Sequence, residues 1–463
     1  MERVHKSLHV VAAIAVVVTS ASCSSNDDVI AAGGAVDSGS DDVSQTADAA
    51  SNGDVTPDAP SSTPTFLLPR ESLAPADLGV LVNADDPQSV AVGAHYVQAR
   101  RIPPQNVVSI HLGASFATAK TTTIPAATFA TWKTQIDAAT PSSIQAYAVT
   151  WIYPSVVDCM SLTSALAFGY DVKWCSKPAP CATTAASPYY QSKTTTPQTT
   201  HAMRPAMLIA GTTEANANAL IDRGVRADAT YPLAKGYLVR TSDTARSVRY
   251  PDFQAVFAAW NKPSSLAFDY VDDSASGTGL ITNKTDVLFY FTGLASVGQI
   301  TTDQYLPGSM ADHLTSYGGQ IPDSGQMSIL RWIEAGATGS YGTVVEPCNY
   351  TTKFPEVSVA VAQYFAGATL IEAYWKSVAW PGEGLFIGEP LARPFGTTSS
   401  FGGGALTIRT TALVPNTKYK VESAASASGP WVAVASDIEV TTASLKTVVV
   451  PSATAAFYHL VLQ

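Results

Sequence analysis

The chain has 463 residues, 46% of them hydrophobic and only 14% charged, against about a quarter charged in an ordinary soluble domain. A formal net charge of −10 excludes a basic nucleic-acid binder held by phosphate neutralisation. The charge is uneven: residues 1–23 carry Glu2, Arg3 and Lys6, while residues 24–69 carry eight Asp and no Lys, Arg or Glu. The rest is close to neutral and long enough to bury a sizeable core.

Arg3 and Lys6 precede the apolar run Val10–Val18, which leads into Thr19-Ser-Ala-Ser-Cys23. A basic start, a short apolar core and small residues before a cleavage point make a secretory signal, too short to stay as a membrane span. Small residues directly before a Cys resemble a bacterial lipobox, with Ser20 in place of the usual Leu. Cys23 is therefore the expected lipidation site, and the expected location is the cell envelope, with the membrane a partner through the lipid anchor. Residues 24–69 are Ser, Ala, Asp, Gly, Thr and Pro with few large apolar residues, a composition that predicts a flexible acidic tether.

Four further cysteines, Cys159, Cys175, Cys181 and Cys348, form an even set in an exported chain and predict disulfides. Cys175 and Cys181 flank a short Pro-containing loop, so the expected pairs are Cys175–Cys181 and Cys159–Cys348. A four-thiolate zinc site would need paired C-x-x-C knuckles, which are absent. No metal or cofactor is expected.

Residues 70–396 alternate apolar runs with helical spacing. Leu78–Val82 reads as a strand, Val90, Ala94 and Val97 share a helical face, and Val107–Leu112 reads as a second strand, which together make a βαβ unit. Further strands are expected at Ala146–Trp151, Ala206–Ala210, Gly236–Arg240, Val287–Thr292 and Gly339–Val345. Helices are expected at Glu214–Arg223, Tyr250–Trp260 and Met327–Glu334, and one or two helices over Val357–Val378. Continuous apolar strands imply an α/β domain with a mostly parallel sheet and flanking helices. Thr397–Gly404 reads as a Ser/Gly-rich link. Beyond it, residues 404–463 show only short β-type runs, a small all-β, sandwich-like module.

Leu81-Val-Asn-Ala-Asp-Asp-Pro87, Arg101-Ile-Pro103, Cys159-Met-Ser-Leu-Thr-Ser-Ala165, the run from Leu306 to Gly319, the run from Gly336 to Asn349, the run from Gly367 to Trp375, and Gly388-Glu-Pro-Leu-Ala-Arg393 stand out as long motifs. Together they resemble one uncharacterised exported bacterial family associated with exosortase-type sorting systems. The resemblance covers roughly residues 75–396. It implies envelope work on secreted or surface proteins and carries no activity. Ala335-Gly-Ala-Thr-Gly-Ser340 and Gly388-Glu-Pro390 also resemble features of gingipain- and caspase-like cysteine peptidases. In those enzymes a strand ends in His-Gly and a later one in the nucleophilic Cys. Here Val287–Thr292 leads into Gly293-Leu-Ala295, and no Cys lies between it and Gly336.

A different register offers a dyad: His313 precedes Cys348 in the order that fold requires, and a thiolate needs such a base. His313 and Cys348 are the candidate catalytic pair of an alternative cysteine hydrolase, although Met310-Ala-Asp-His-Leu314 reads as helical. Asp85 and Asp86 follow the first strand, where ligand sites of open α/β sheets gather, or else they cap the next helix. Asp312 and Glu346 form a further candidate carboxylate pair. Asp269, Asp272 and Asp273 cluster without an EF-hand arrangement. No P-loop, HExxH, GxSxG or GxGxxG occurs in its required context.

The lipid anchor makes a direct prediction. Radiolabelled palmitate should enter the wild-type protein in a bacterial host and not the Cys23→Ala variant; equal labelling of both would remove the anchor.

Overall fold

The computed structural model describes residues 64–68, 70–176, 180–262 and 266–463, within the compact unit Ser61–Gln463. Residues 1–63, where the leader, the lipidation site Cys23 and most of the acidic tether are expected, lie outside the described residues. Residues 64–67 do not continue that tether as read: β1 (Thr65–Leu67) pairs in parallel with the last strand of the chain. Phe66 supplies the reason, since its ring is buried in an apolar cluster.

The chain is mixed α/β with several sheets. The largest contains β2 (Leu78–Asn83), β3 (Val107–Ile110), β4 (Ala146–Val149), β5 (Ala206–Leu208), β6 (Lys235–Arg240), β7 (Ala267–Asp272), β8 (Val287–Thr292), β9 (Tyr305–His313), β10 (Gly339–Thr343) and β11 (Gly384–Gly388). Their spatial order is β7-β6-β8-β9-β10-β11-β5-β4-β2-β3. Every ladder is parallel except β10 against β11. Every residue of β2, β4 and β8 is buried, as parallel strands covered on both faces require. Pro87–Arg100 lies beside Glu214–Ala227, and Val357–Phe365 packs on both Leu370–Ser377 and Tyr250–Trp260. Among the described residues no helix is long and apolar enough to cross a membrane.

Two halves of this sheet repeat one plan. Residues 78–208 give the order β3-β2-β4-β5, and residues 235–313 give β7-β6-β8-β9. A small hydrogen-bond motif repeats with it. The N–H of Asn83, the last residue of β2, donates to Ser89 Oγ at 2.9 Å, and the Thr241 N–H just after β6 donates to Ser247 Oγ at 2.8 Å. In each half a Ser six residues on satisfies an amide at the carboxyl end of the strand. Strand β11 joins the halves, antiparallel to β10 and parallel to β5.

The C-terminal residues form β12 (Thr397–Gly402), β13 (Ala405–Thr410), β14 (Tyr419–Ala424), β15 (Val432–Ile438), β16 (Lys446–Val450) and β17 (Phe457–Leu462). β12, β13 and β16 make one sheet, and β1, β17, β14 and β15 another. Leu406, Ile408, Val421, Val448 and Tyr458 join Phe66 in their shared apolar cluster. The stretch 397–404 is thus the first strand and the turn of a hairpin rather than a link, turning through Gly403 and Gly404 at φ 58° and 75°, where a Cβ would be strained. Glu71 ties this region to the body: it accepts from the Thr397 N–H at 2.8 Å and from Arg393 Nη2 at 3.2 Å.

The cysteines pair differently from expectation. Cys159 bonds Cys175, and Cys181 bonds Cys348. Trp174 stacks on Phe168 with ring centroids 3.9 Å apart and draws Cys175 inward to the buried Cys159, while Cys181 turns to the loop after β10. Non-reducing peptide mapping should therefore recover the 159–175 and 181–348 pairs and no 175–181 peptide. With sequence separations of 16 and 167, Ser replacement of each pair should cost about 3 and about 5 kcal/mol in the chain-entropy treatment, before strain.

Candidate functional site

The carboxyl ends of β6, β8 and β9 meet beneath the segment 241–249. Gly293, just past β8, makes this approach possible, because a Cβ there would lie 2.0 Å from the Arg246 carbonyl oxygen. Thr241 Oγ1 donates to the Gly293 carbonyl at 2.6 Å. The 3-10 turn Ser247–Arg249, ahead of helix Tyr250–Trp260, then delivers the Arg249 side chain under the strand ends.

Arg249 is the centre of this region. Its Nη2 donates to Asp312 Oδ1 at 2.6 Å and to the Thr292 carbonyl at 2.9 Å. Its Nη1 reaches the Pro355 carbonyl at 3.4 Å. The side chains of Arg249 and Asp312 are 3% and 0% exposed. Phe253, Phe291 and Phe354 surround the guanidinium at 5.6–5.9 Å. Burial pushes the Asp312 carboxyl above its ordinary range, and Arg249 opposes that rise. The two charges hold one another where water cannot.

Beside Arg249 opens a cleft of about 350 Å³ lined also by Tyr190, Asp252, Phe354, Glu356 and Ala379. Asp252 Oδ2 accepts from the Val357 N–H at 2.6 Å and the Ser358 N–H at 3.3 Å, so it caps helix Val357–Phe365. Glu356 accepts from the Tyr190 hydroxyl and from Ser358 Oγ. Among the described residues neither carboxylate has an ion-pair partner.

The expected dyad is not assembled. Cys348 Sγ is bonded to Cys181, so no thiol is present. His313 does not lie on a helix: the strand β9 continues through it, because alternate residues there are buried on both faces. Its Nε2–H donates to the Met327 carbonyl at 3.1 Å, and its Nδ1 accepts from Trp332 Nε1 at 2.9 Å. Both ring nitrogens are occupied in the neutral tautomer, and burial drives the imidazole down to about 3.

The candidate carboxylates also separate. Asp85 accepts from His111 Nδ1 at 2.7 Å and the Gly113 N–H at 2.7 Å, and the His111 bond holds it below the usual range. Asp86 caps helix Pro87–Arg100 through the Gln88 N–H at 3.0 Å. Asp312 serves Arg249, and Glu346 Oε1 accepts the Cys348 N–H at 2.8 Å, so they do not act as a pair. Asp269 and Asp272, on β7, pair with Lys235 and Arg240 of β6. Glu372 accepts the Leu73 and Thr369 N–H groups, and Glu389 accepts from Tyr96 and Arg100. Sequence reasoning missed Tyr190, Arg249, Asp252 and Glu356. The only local signal was Pro251, which marks the helix start that positions Asp252.

No family model matches the chain, and no curated protein matches it. A solved structure described as "Structure of Protease" is similar at a TM-score of 0.37 and 10% identity, over 85% of this chain and 98% of its own.

The sealed histidine predicts an acid-side loss of stability. In the unfolded chain His313 takes a proton near pH 6.5, but in the fold only near pH 3. Between those values the unfolded state holds more protons, so stability is complete above about pH 6.5 and falls as the pH drops. This one ring contributes a slope of up to about 1.4 kcal/mol per pH unit. Urea unfolding of His313→Gln, whose amide can both accept and donate, should show a shallower slope between pH 6.5 and 4. An unchanged slope would show that His313 is not sealed.

Proposed function

We propose that this chain is an exported envelope lipoprotein, anchored through Cys23, with a peptidase-like α/β body that binds secreted or surface proteins without cleaving them. The observation that carries the non-catalytic part is the bond between Cys348 and Cys181, which consumes the candidate nucleophile. The hydrogen bonds at both nitrogens of His313 support it independently, since a general base needs a free nitrogen near its target. Two disulfides and the leader pattern support export. The peptidase-like part rests on the sequence resemblance around Gly336 and Gly388 and on the parallel order β7-β6-β8-β9. The cleft beside Arg249, at the carboxyl edge where open α/β sheets take their ligands, is the proposed contact surface.

The test uses the exported protein without reductant, incubated with a diverse peptide mixture and, separately, with iodoacetamide. No peptide cleavage and no alkylation of Cys348 are expected. Cleavage that disappears in Cys348→Ala would replace the binding protein with a cysteine hydrolase.

A further inference from the structure

The two disulfides differ in access. Cys159 and Cys175 are 2% and 4% exposed, whereas Cys181 and Cys348 are half-buried on a loop surface. A reductant reaches the second bridge first. Glu346 stands beside it: the Cys181 and Cys348 sulfurs and a Glu346 carboxylate oxygen all lie within 4.8 Å of one another.

We propose that Cys181, Cys348 and Glu346 form a zinc site that is masked by the disulfide and unmasked by reduction. A dithiol closing into its own disulfide gives up two electrons and two protons. These pass to the two cysteine sulfurs as their S–S bond breaks. Zinc then displaces both thiol protons and takes two thiolates and one carboxylate, with water in the fourth position. A Zn–S bond is about 2.3 Å, so a tetrahedral site needs its sulfurs roughly 3.8 Å apart. The Cα atoms of Cys181 and Cys348 are 5.2 Å apart, and side-chain rotation alone can open the sulfurs to that span.

The segments carrying these residues stay together without the bridge. Lys353 Nζ donates to Ser176 Oγ at 2.8 Å and pairs with Glu383 at 2.9 Å, and Glu383 accepts the Ser176 N–H at 2.7 Å. Lys353 and Glu383 are fully buried, so this network holds the chain near Cys181 to the chain near Cys348. The Tyr190 hydroxyl adds a second tie by donating to Glu356. The Glu346 carboxylate is already directed at the bridge by its bond from the Cys348 N–H. Two thiols freed by reduction would therefore remain neighbours beside a carboxylate.

The experiment treats the protein with dithiothreitol until alkylation and mass spectrometry show Cys181 and Cys348 open, then removes the reductant by gel filtration under nitrogen. Zinc is titrated against a chromophoric chelator, and cobalt is used to detect a thiolate charge-transfer band. The reduced protein should bind one zinc per chain and the oxidised protein none. Cys181→Ser and Cys348→Ser should abolish binding. Glu346→Gln should weaken it by about tenfold or more while the far-UV spectrum stays unchanged. Equal zinc binding by reduced and oxidised protein, opening of Cys159–Cys175 first, or full affinity in Glu346→Gln would each overturn the site.

Discussion

Arg249 and Asp312 form an ion pair sealed from water, and the carboxyl end of the main sheet is arranged around it. The guanidinium gathers the ends of β8 and β9, the turn before helix Tyr250–Trp260 and the Pro355 carbonyl at one point. Burying two charges is costly, and only close geometry with further hydrogen bonds offsets it. That requirement explains the aromatic ring wall and the absence of a side chain at Gly293. It also explains why this sheet end offers no dyad: the place beside Asp312 is filled by a structural cation, and the adjoining His313 is turned to the opposite face of β9, against Trp332.

The same economy recurs elsewhere. Glu389 takes Arg100 and Tyr96, Glu383 takes Lys353 and Ser176, and Glu372 takes Lys376 with two backbone amides. Each joins segments distant in sequence, so each specifies a register that apolar packing alone would leave loose. The main body is poor in charge, and a notable part of what it has lies inside. A one-dimensional reading cannot distinguish such an internal anchor from an exposed acid.

Much of the fold was legible. Val287–Thr292 and Tyr250–Trp260 have the bounds their patterns predict, because both are strongly apolar and bounded by clear breakers. The break between Val357–Phe365 and Leu370–Ser377 follows from Gly367, and the expected stretch Val357–Val378 allowed two helices. β7 was hidden by its acidic residues, which face Lys235 and Arg240 across an edge ladder. β9 was hidden by Pro307-Gly308, and β11 by its single short apolar run. The repeated strand-end Ser motif at Ser89 and Ser247 was present in the sequence, yet it gains meaning only when both strand orders are known. Disulfide pairing was beyond reach, since it depends on which way Cys175 turns after Trp174.

Arg249 and Asp312 are a mutually dependent structural lock rather than two independent site residues. A double-mutant cycle with Arg249→Met and Asp312→Leu, followed by urea unfolding, tests it most directly. Each single replacement should cost about 3–5 kcal/mol, because it strands the other charge in the interior. The double replacement should cost less than the sum of the two by about 2 kcal/mol or more. Costs that simply add, within about 0.5 kcal/mol, would contradict the lock.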